Sequence, residues 1–322
     1  MKPLIWIIDE EWSDYDVEER ILNEEFPNCI IKYSGNDYKK DLEEFGKKAD
    51  AIICQVYVDL PKETIEKLEN CKIIALFGGG YDRINVKCAN ERGIKVTFVP
   101  GYCVEDLSDY VMAGIFHCNK KLDYYYKNIQ NGLWGAQAVE KPINRINSST
   151  LLIIGLGKIG TAVAVKAKAL NMHVIAYDPY VDEDTMKSIG VTKVEWNYGI
   201  ESADFISINT KLTTETENLI SLDDFKKMKK SVYIINTARG KVIVESDLIK
   251  AVKEGMIAGA VLDVVSKEPP NLNNEIFNCE NILITPHISY ISNQSFLELK
   301  TRAAQNVVKI LNGQEVVDLA TY

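Results

Sequence analysis

At 322 residues, 46% hydrophobic and 26% charged, the chain is long enough to bury two cores without staples and is neither disordered nor fibrous in composition. A formal net charge of −9, from 46 acidic against 37 basic residues, offers no positive field to a polyanion and argues against a nucleic-acid partner. Seven cysteines without CxxC spacing exclude a disulfide framework or a metal set and read as reduced, buried small side chains. No run approaches the roughly eighteen apolar residues needed to cross a bilayer. The opening MKPLIWIIDE reaches acidic residues within its first ten positions, so neither an export signal nor a membrane partner is expected, and a cytoplasmic place is.

In chain order, short Val/Ile-rich runs alternate with segments of helical period: LIWIID then VEERILNEEF, CIIKYS then KKDLEEFGKK, AIICQV then KETIEKLEN, KIIALF then a further helix. That alternation builds a parallel sheet. A helix is expected from Val104 through Tyr126, where Leu107, Tyr110, Val111 and Ile115 recur at spacings of three and four. The stretch Asn128–Ser149, with Gly132, Trp134 and Pro142, has no clear period and reads as an arm. The β-α alternation restarts with STLLIIGLG, HVIAYD, DFISIN, SVYIINTA, GAVLDVV and NILITPH. These are enough strands for a complete doubly wound sheet. After Ser292, an N-cap residue, a last amphipathic helix runs to Gly313. The expectation is an α/β protein of two domains: residues 1–101 with 291–322, a flavodoxin-like α/β unit, and 102–290, a doubly wound Rossmann unit.

In LLIIGLGKIGTAVAVKAKAL a buried strand runs through Gly155-x-Gly157-x-x-Gly160 directly into a helix. Gly155 permits the tight turn, Gly157 lets backbone approach a pyrophosphate, and Gly160 lets helix pack on strand, while the amides of Lys158 and Ile159 meet phosphate. The next strand ends in Asp178, placed to accept hydrogen bonds from both ribose hydroxyls. It would repel a 2′-phosphate, and Pro179 and Tyr180 supply no compensating cation, so NAD is expected over NADP.

Three side chains at strand ends of the second unit complete the chemistry: Arg239 in INTARG, Glu268 in VLDVVSKEPP and His287 in ILITPHIS. A guanidinium fork holds a carboxylate and polarises a C2 oxygen. An imidazole titrates near neutral pH and can exchange the hydroxyl proton as hydride moves. Glu268, reaching the far ring nitrogen, would fix the tautomer and stabilise the imidazolium. The other two histidines are less well placed, His117 in a helical pattern and His173 opening a strand. Each of the three residues alone has an ordinary reading as a surface Arg, a loop acid or a structural His, and their coincidence is what carries the assignment.

GLGKIG, YDPY, NTARG, LDVVSKEPP and TPHIS, in this order and spacing, resemble the D-isomer-specific 2-hydroxyacid dehydrogenases over nearly the whole chain; FGGGYDRINV and VPGYCVEDLSDY are similar to that family's substrate loop and interdomain helix. The resemblance implies hydride transfer between NAD and C2 of a small 2-keto or 2-hydroxy acid, with Arg239, Glu268 and His287 catalytic. It places the nicotinamide-amide contact on Asp263, further cofactor contacts on Thr210, Thr237 and Ala238, and substrate-carboxylate amides on Gly79 and Gly80. It also implies a homodimer joined near Trp134. Departures from the family pattern are Arg83, Asn85, Tyr110, Asn209 and Lys211, none of which removes a catalytic group. CQVYVDLP has Gln55 and Tyr57 but no cation, which argues against a phosphorylated, phosphoglycerate-like substrate. Tyr57, Phe77, Cys103 and Tyr290 would suit a nonpolar or aromatic 2-keto acid. The alternatives are a hydroxypyruvate or glyoxylate reductase, a phosphoglycerate dehydrogenase, or an NAD(H)-sensing binding protein resembling the transcriptional C-terminal-binding proteins.

Overall fold

A computed structural model of the chain describes residues 2–139 and 143–321, so Pro142 of the expected arm lies outside the described residues. The chain divides into two compact units, Met1–Tyr102 with Ser292–Tyr322, and Cys103–Ile291, each junction falling one residue later than the sequence reading placed it.

In the first unit five strands, β1 (Leu4–Ile8), β2 (Ile30–Ser34), β3 (Ala51–Gln55), β4 (Ile73–Phe77) and β5 (Lys95–Thr97), form a parallel sheet of order β2-β1-β3-β4-β5. This is the flavodoxin-like order. Every residue of β3 and β4 is buried, as continuous apolar runs require when both faces of a parallel sheet are covered. β5 was not anticipated. It is three residues long, and its free edge receives the chain's end: Thr97 bridges antiparallel to Leu319, and Ala320 N–H donates to the Val96 carbonyl.

The Asn293–Leu311 helix belongs to this unit, and the Ser292 hydroxyl caps it by accepting from the Ser295 amide. On its inner face Lys300, only 2% exposed, donates from Nζ to the Asp14 carbonyl at 2.8 Å and to Asp14 Oδ1 at 2.9 Å. The rings of Trp12, Tyr15 and Phe296 lie 5.1–5.8 Å from the same ammonium. Glu18, on the Asp16–Glu25 helix, approaches it at 3.6 Å. Among the described residues neither Glu18 carboxyl oxygen finds a hydrogen-bond partner, and burial, only partly offset by its own backbone and Lys300, pushes that group up to about 7.

The second unit holds seven parallel strands, β6 (Thr150–Ile154), β7 (His173–Tyr177), β8 (Thr192–Lys193), β9 (Phe205–Ile208), β10 (Tyr233–Asn236), β11 (Gly259–Leu262) and β12 (Ile282–Ile284). Their order is β12-β11-β10-β9-β6-β7-β8, so strand order reverses where β6 lies between β7 and β9. That is the switch point at which open α/β sheets take ligands. The helix Val104–Lys120 packs on Lys158–Ala169, pinned by Lys166 Nζ to Ser108 Oγ and Asp109 Oδ1 at 2.7 and 2.6 Å.

The single helix expected through Tyr126 is instead two. It stops at Lys120, Lys121 turns left-handed at φ 51°, and a second helix covers Leu122–Gln130, so Asn128 is helical rather than part of an arm. The periodicity continues across the break, but a tertiary contact accompanies the turn: Lys121 Nζ lies 5.8 Å over the Tyr233 ring. No helix among the described residues is long and apolar enough to cross a membrane. All seven cysteines are free, and six of them are buried.

Candidate active site

The glycine turn leaves β6 with Gly155 at φ +87°, a left-handed geometry that favours glycine. A side chain there would also strike Thr210 backbone at 2.9 Å. At Gly160 an added Cβ would lie 2.2 Å from the Gly155 carbonyl oxygen, whereas at Gly157 it would meet nothing within 4 Å. The three glycines therefore differ: the first and third are needed by the fold, and the second faces open space. Gly157 precedes the first turn of the Lys158–Ala169 helix, whose leading amides lack intrahelical partners. Asp178, just after β7, accepts from the Leu156 amide on Oδ2 and the Tyr180 amide on Oδ1, both at 2.8 Å, and so ties the glycine turn to the next loop. Each of its oxygens retains a lone pair.

The β10 end carries Thr237, Ala238 and Arg239 in a turn cinched by Asn236, a fully buried residue that sequence reading missed. Its Oδ1 accepts from the Ala238 amide and its Nδ2 donates to the Arg239 carbonyl, each at 3.0 Å. Gly240 follows, and a Cβ there would lie 2.0 Å from the Val265 carbonyl carbon. Only glycine lets the arginine turn press against the loop that carries Glu268. The Arg239 side chain donates to the Ala238 carbonyl at 2.8 Å.

Glu268 and His287 are brought together: Glu268 Oε2 lies 3.0 Å from His287 Nδ1, with side chains 16% and 25% exposed. The other carboxylate oxygen accepts from the Val265 amide at 3.1 Å. Burial alone would raise the Glu268 carboxyl, but the His287 hydrogen bond and charge, the Val265 amide and the Arg239 guanidinium outweigh it and hold the group below the ordinary glutamic acid value. A carboxylate only accepts, so Nδ1 carries the proton and Nε2 is the ring nitrogen left to exchange one.

Asp263, fully buried just past β11, accepts from the Thr285 hydroxyl at 2.6 Å and from the Ile288 and Ser289 amides at 2.8 Å. It thereby ties down the turn that carries His287 at φ +54°. Two buried acceptors, Thr237 Oγ1 and Asn209 Oδ1, have no hydrogen-bond partner among the described residues. They lie at the β10 and β9 ends, and together with the open cradle at Gly157 they suit a bound dinucleotide. Gly79 and Gly80 belong to the first unit, in the loop leaving β4. There Gly78 is demanded by Val56, which an added Cβ would meet at 2.2 Å, while Gly79 is only in ordinary contact with Val99.

Residues 112–289 match the family model described as D-isomer specific 2-hydroxyacid dehydrogenase, NAD binding domain. The chain is 32% identical over 321 residues to a glyoxylate reductase of Korarchaeum cryptofilum, covering 98% of this chain and 94% of that one. It is also 32% identical to C-terminal-binding protein 1 of Caenorhabditis elegans, covering 99% of this chain but only 44% of that longer protein. Among solved structures, a D-lactate dehydrogenase from Aquifex aeolicus, complexed with NAD and lactic acid, superposes with a TM-score of 0.87 at 28% identity over 96% of each chain. A Rossmann sheet with its glycine turn, a half-buried carboxylate-imidazole pair beside an arginine, and this similarity place the chain in the D-isomer-specific 2-hydroxyacid dehydrogenase family, the NAD-dependent oxidoreductases of 2-hydroxy acids.

Proposed function

We propose that the chain reduces a small 2-keto acid with an uncharged side chain, with Arg239, Glu268 and His287 as its catalytic residues. The observation that carries this is the 3.0 Å Glu268–His287 contact, which fixes the ring so that Nε2 is the proton-exchanging atom. When bound, the nicotinamide supplies the hydride. Arg239 holds the substrate carboxylate and polarises the C2 carbonyl, and His287 Nε2 delivers the proton to the C2 oxygen while Glu268 stabilises the imidazolium. Gly79 and Gly80 contribute backbone amides to carboxylate binding. Gly155, Gly157, Lys158, Ile159 and Gly160 cradle the pyrophosphate, and Thr210, Thr237, Ala238 and Asp263 line the cofactor's course. Asp178 takes the ribose. Glu215, which accepts from the Tyr180 hydroxyl at 2.6 Å, adds a second carboxylate against a 2′-phosphate, supporting NAD over NADP.

The test is NADH consumption with phenylpyruvate, a branched aliphatic 2-keto acid, glyoxylate, hydroxypyruvate and a phosphorylated 2-keto acid. The expected result is the highest kcat/KM on an uncharged side chain. Preference for the phosphorylated acid would overturn the substrate assignment. The similarity to a C-terminal-binding protein across 99% of this chain supports a second reading, an NADH-sensing protein, and tight NADH binding without turnover on any of these acids would favour it.

A homodimer is part of the same proposal. Leu122, Tyr126 and Ile129 stand at helical spacing on one face of the Leu122–Gln130 helix and are each more than half exposed, and Trp134 is 78% exposed. Large apolar side chains left this exposed are characteristic of an interface. A Trp134→Glu, Ile129→Glu double variant is expected to halve the mass measured by light scattering; a monomeric native protein would contradict the dimer. The buried free cysteines suit the reducing conditions of a cytoplasmic place.

A further inference from the structure

We infer that Tyr110 is a positioning residue for His287, acting through a directed hydrogen-bond chain from the Tyr110 hydroxyl to the Thr285 hydroxyl to the Asp263 carboxylate. The inference rests on the proposed role of His287, although Tyr110 touches neither the imidazole nor Glu268 in any described contact.

The direction of the chain follows from donor counting. Asp263 Oδ1, as a carboxylate oxygen, can only accept, so the single Thr285 proton is committed to it across 2.6 Å. The hydrogen bond between Tyr110 Oη and Thr285 Oγ1 must then be donated by the tyrosine. Burial raises the Tyr110 hydroxyl above its ordinary pKa, which keeps that proton in place at working pH. Tyr110 sits on the Val104–Lys120 helix, 175 residues away in sequence from Thr285, so the chain joins that helix to the loop leaving β12.

The loop needs such a tether. His287 holds a left-handed φ of +54°, a conformation that costs a non-glycine residue about 1 kcal/mol or more. It is held by bonds on both sides: His287 N–H donates to the Thr285 carbonyl at 3.0 Å, and the next two amides donate to Asp263. Thr285 is thus the near anchor of the turn and Asp263 the far one, and Tyr110 orients the hydroxyl that links them. If that hydroxyl turns away, the imidazole moves relative to Glu268. The titratable groups at His287 include Glu268, Asp263, bonded to the two following amides, and the Tyr290 ring, whose centroid is 6.2 Å from the imidazole, with Arg239 near Glu268 and Tyr110 behind Thr285. Glu268 makes the direct hydrogen bond to the ring.

The experiment is an NMR titration of the histidine side chains, which number three, with His287 assigned by a His287→Gln variant. Tyr110→Phe and Thr285→Val are expected to lower the His287 pKa, because a slackened turn weakens its pairing with Glu268, and Thr285→Ser is expected to restore it. The kcat for keto-acid reduction should fall about two- to tenfold in Tyr110→Phe, the scale of one net hydrogen bond, with NADH affinity unchanged. A merely structural tyrosine would lower Tm while leaving the His287 titration where it was, and that result would overturn the inference. The NMR readout needs no turnover, so an inactive wild-type protein would sink the enzymatic reading while leaving this test intact.

Discussion

Replacing Glu268 by Gln removes a charge while keeping an oxygen that can still accept from His287 Nδ1. The ring stays oriented, and only the electrostatic support of the imidazolium is lost. A hydrogen bond to a charged partner contributes about 1.5–3 kcal/mol, and the half-buried 3.0 Å pair belongs in that range. Reduction draws a proton from His287, so kcat/KM for keto-acid reduction should fall about ten- to hundredfold in the variant, with NADH affinity unchanged. Initial rates of NADH oxidation at fixed pH and ionic strength, beside an NADH binding titration, give both quantities. A kcat/KM within about twofold of the native value would refute the electrostatic role. Stability offers a second reading of the same pair. The carboxyl is depressed in the fold, so its contribution is complete above the unfolded value of about 4.3 and is lost as pH falls through the folded value, a dependence that Glu268→Gln should erase.

The glycine turn separates fold from binding. Gly160→Ala, which would place Cβ 2.2 Å from a backbone oxygen, should cost about 1–3 kcal/mol of stability. Gly157→Ala, which meets nothing, should leave Tm unchanged and weaken NADH binding in a fluorescence titration; equal Tm losses in the two would contradict the distinction. Arg239→Lys should raise KM for the keto acid and lower kcat together, since one fork both binds and polarises, and steady-state kinetics showing an effect on NADH alone would remove Arg239 from that role. Glu18, raised to about 7 by burial, binds its proton more tightly folded than unfolded. Its contribution is therefore fully present below about pH 4.3 and declines as pH rises through 7. Glu18→Gln should flatten the dependence of Tm between pH 5 and 8, and an unaltered slope in thermal melts would argue against the shift.

Strands such as Ile73–Phe77 were legible because burial on both faces demands unbroken apolar runs, and the glycine turn because Gly155 and Gly160 answer steric demands of the fold while Gly157 leaves room for a ligand. β5 and β8 were not legible: three and two residues are too few for a period, and β5 is defined partly by chain that returns more than 200 residues later. The break at Lys121 leaves no mark in the sequence because helical spacing continues through it, and the left-handed turn goes with a contact to Tyr233. The same limit hid the supports of the site. Arg239, Glu268 and His287 announce themselves by residue type at strand ends, whereas Asn236, Thr285 and Tyr110 matter through partners that only the fold brings near. The buried Lys300 beside Glu18 is a further instance, a contact written in sequence as two ordinary residues of two amphipathic helices.

The most direct measurement pairs the native protein with His287→Ala, following NADH affinity by fluorescence and NADH oxidation with the keto-acid panel in the same preparations. Native protein should oxidise NADH with at least one acid, and the variant should bind NADH as tightly and oxidise none. Native-like kcat in the variant would contradict the assignment of His287 as the proton carrier.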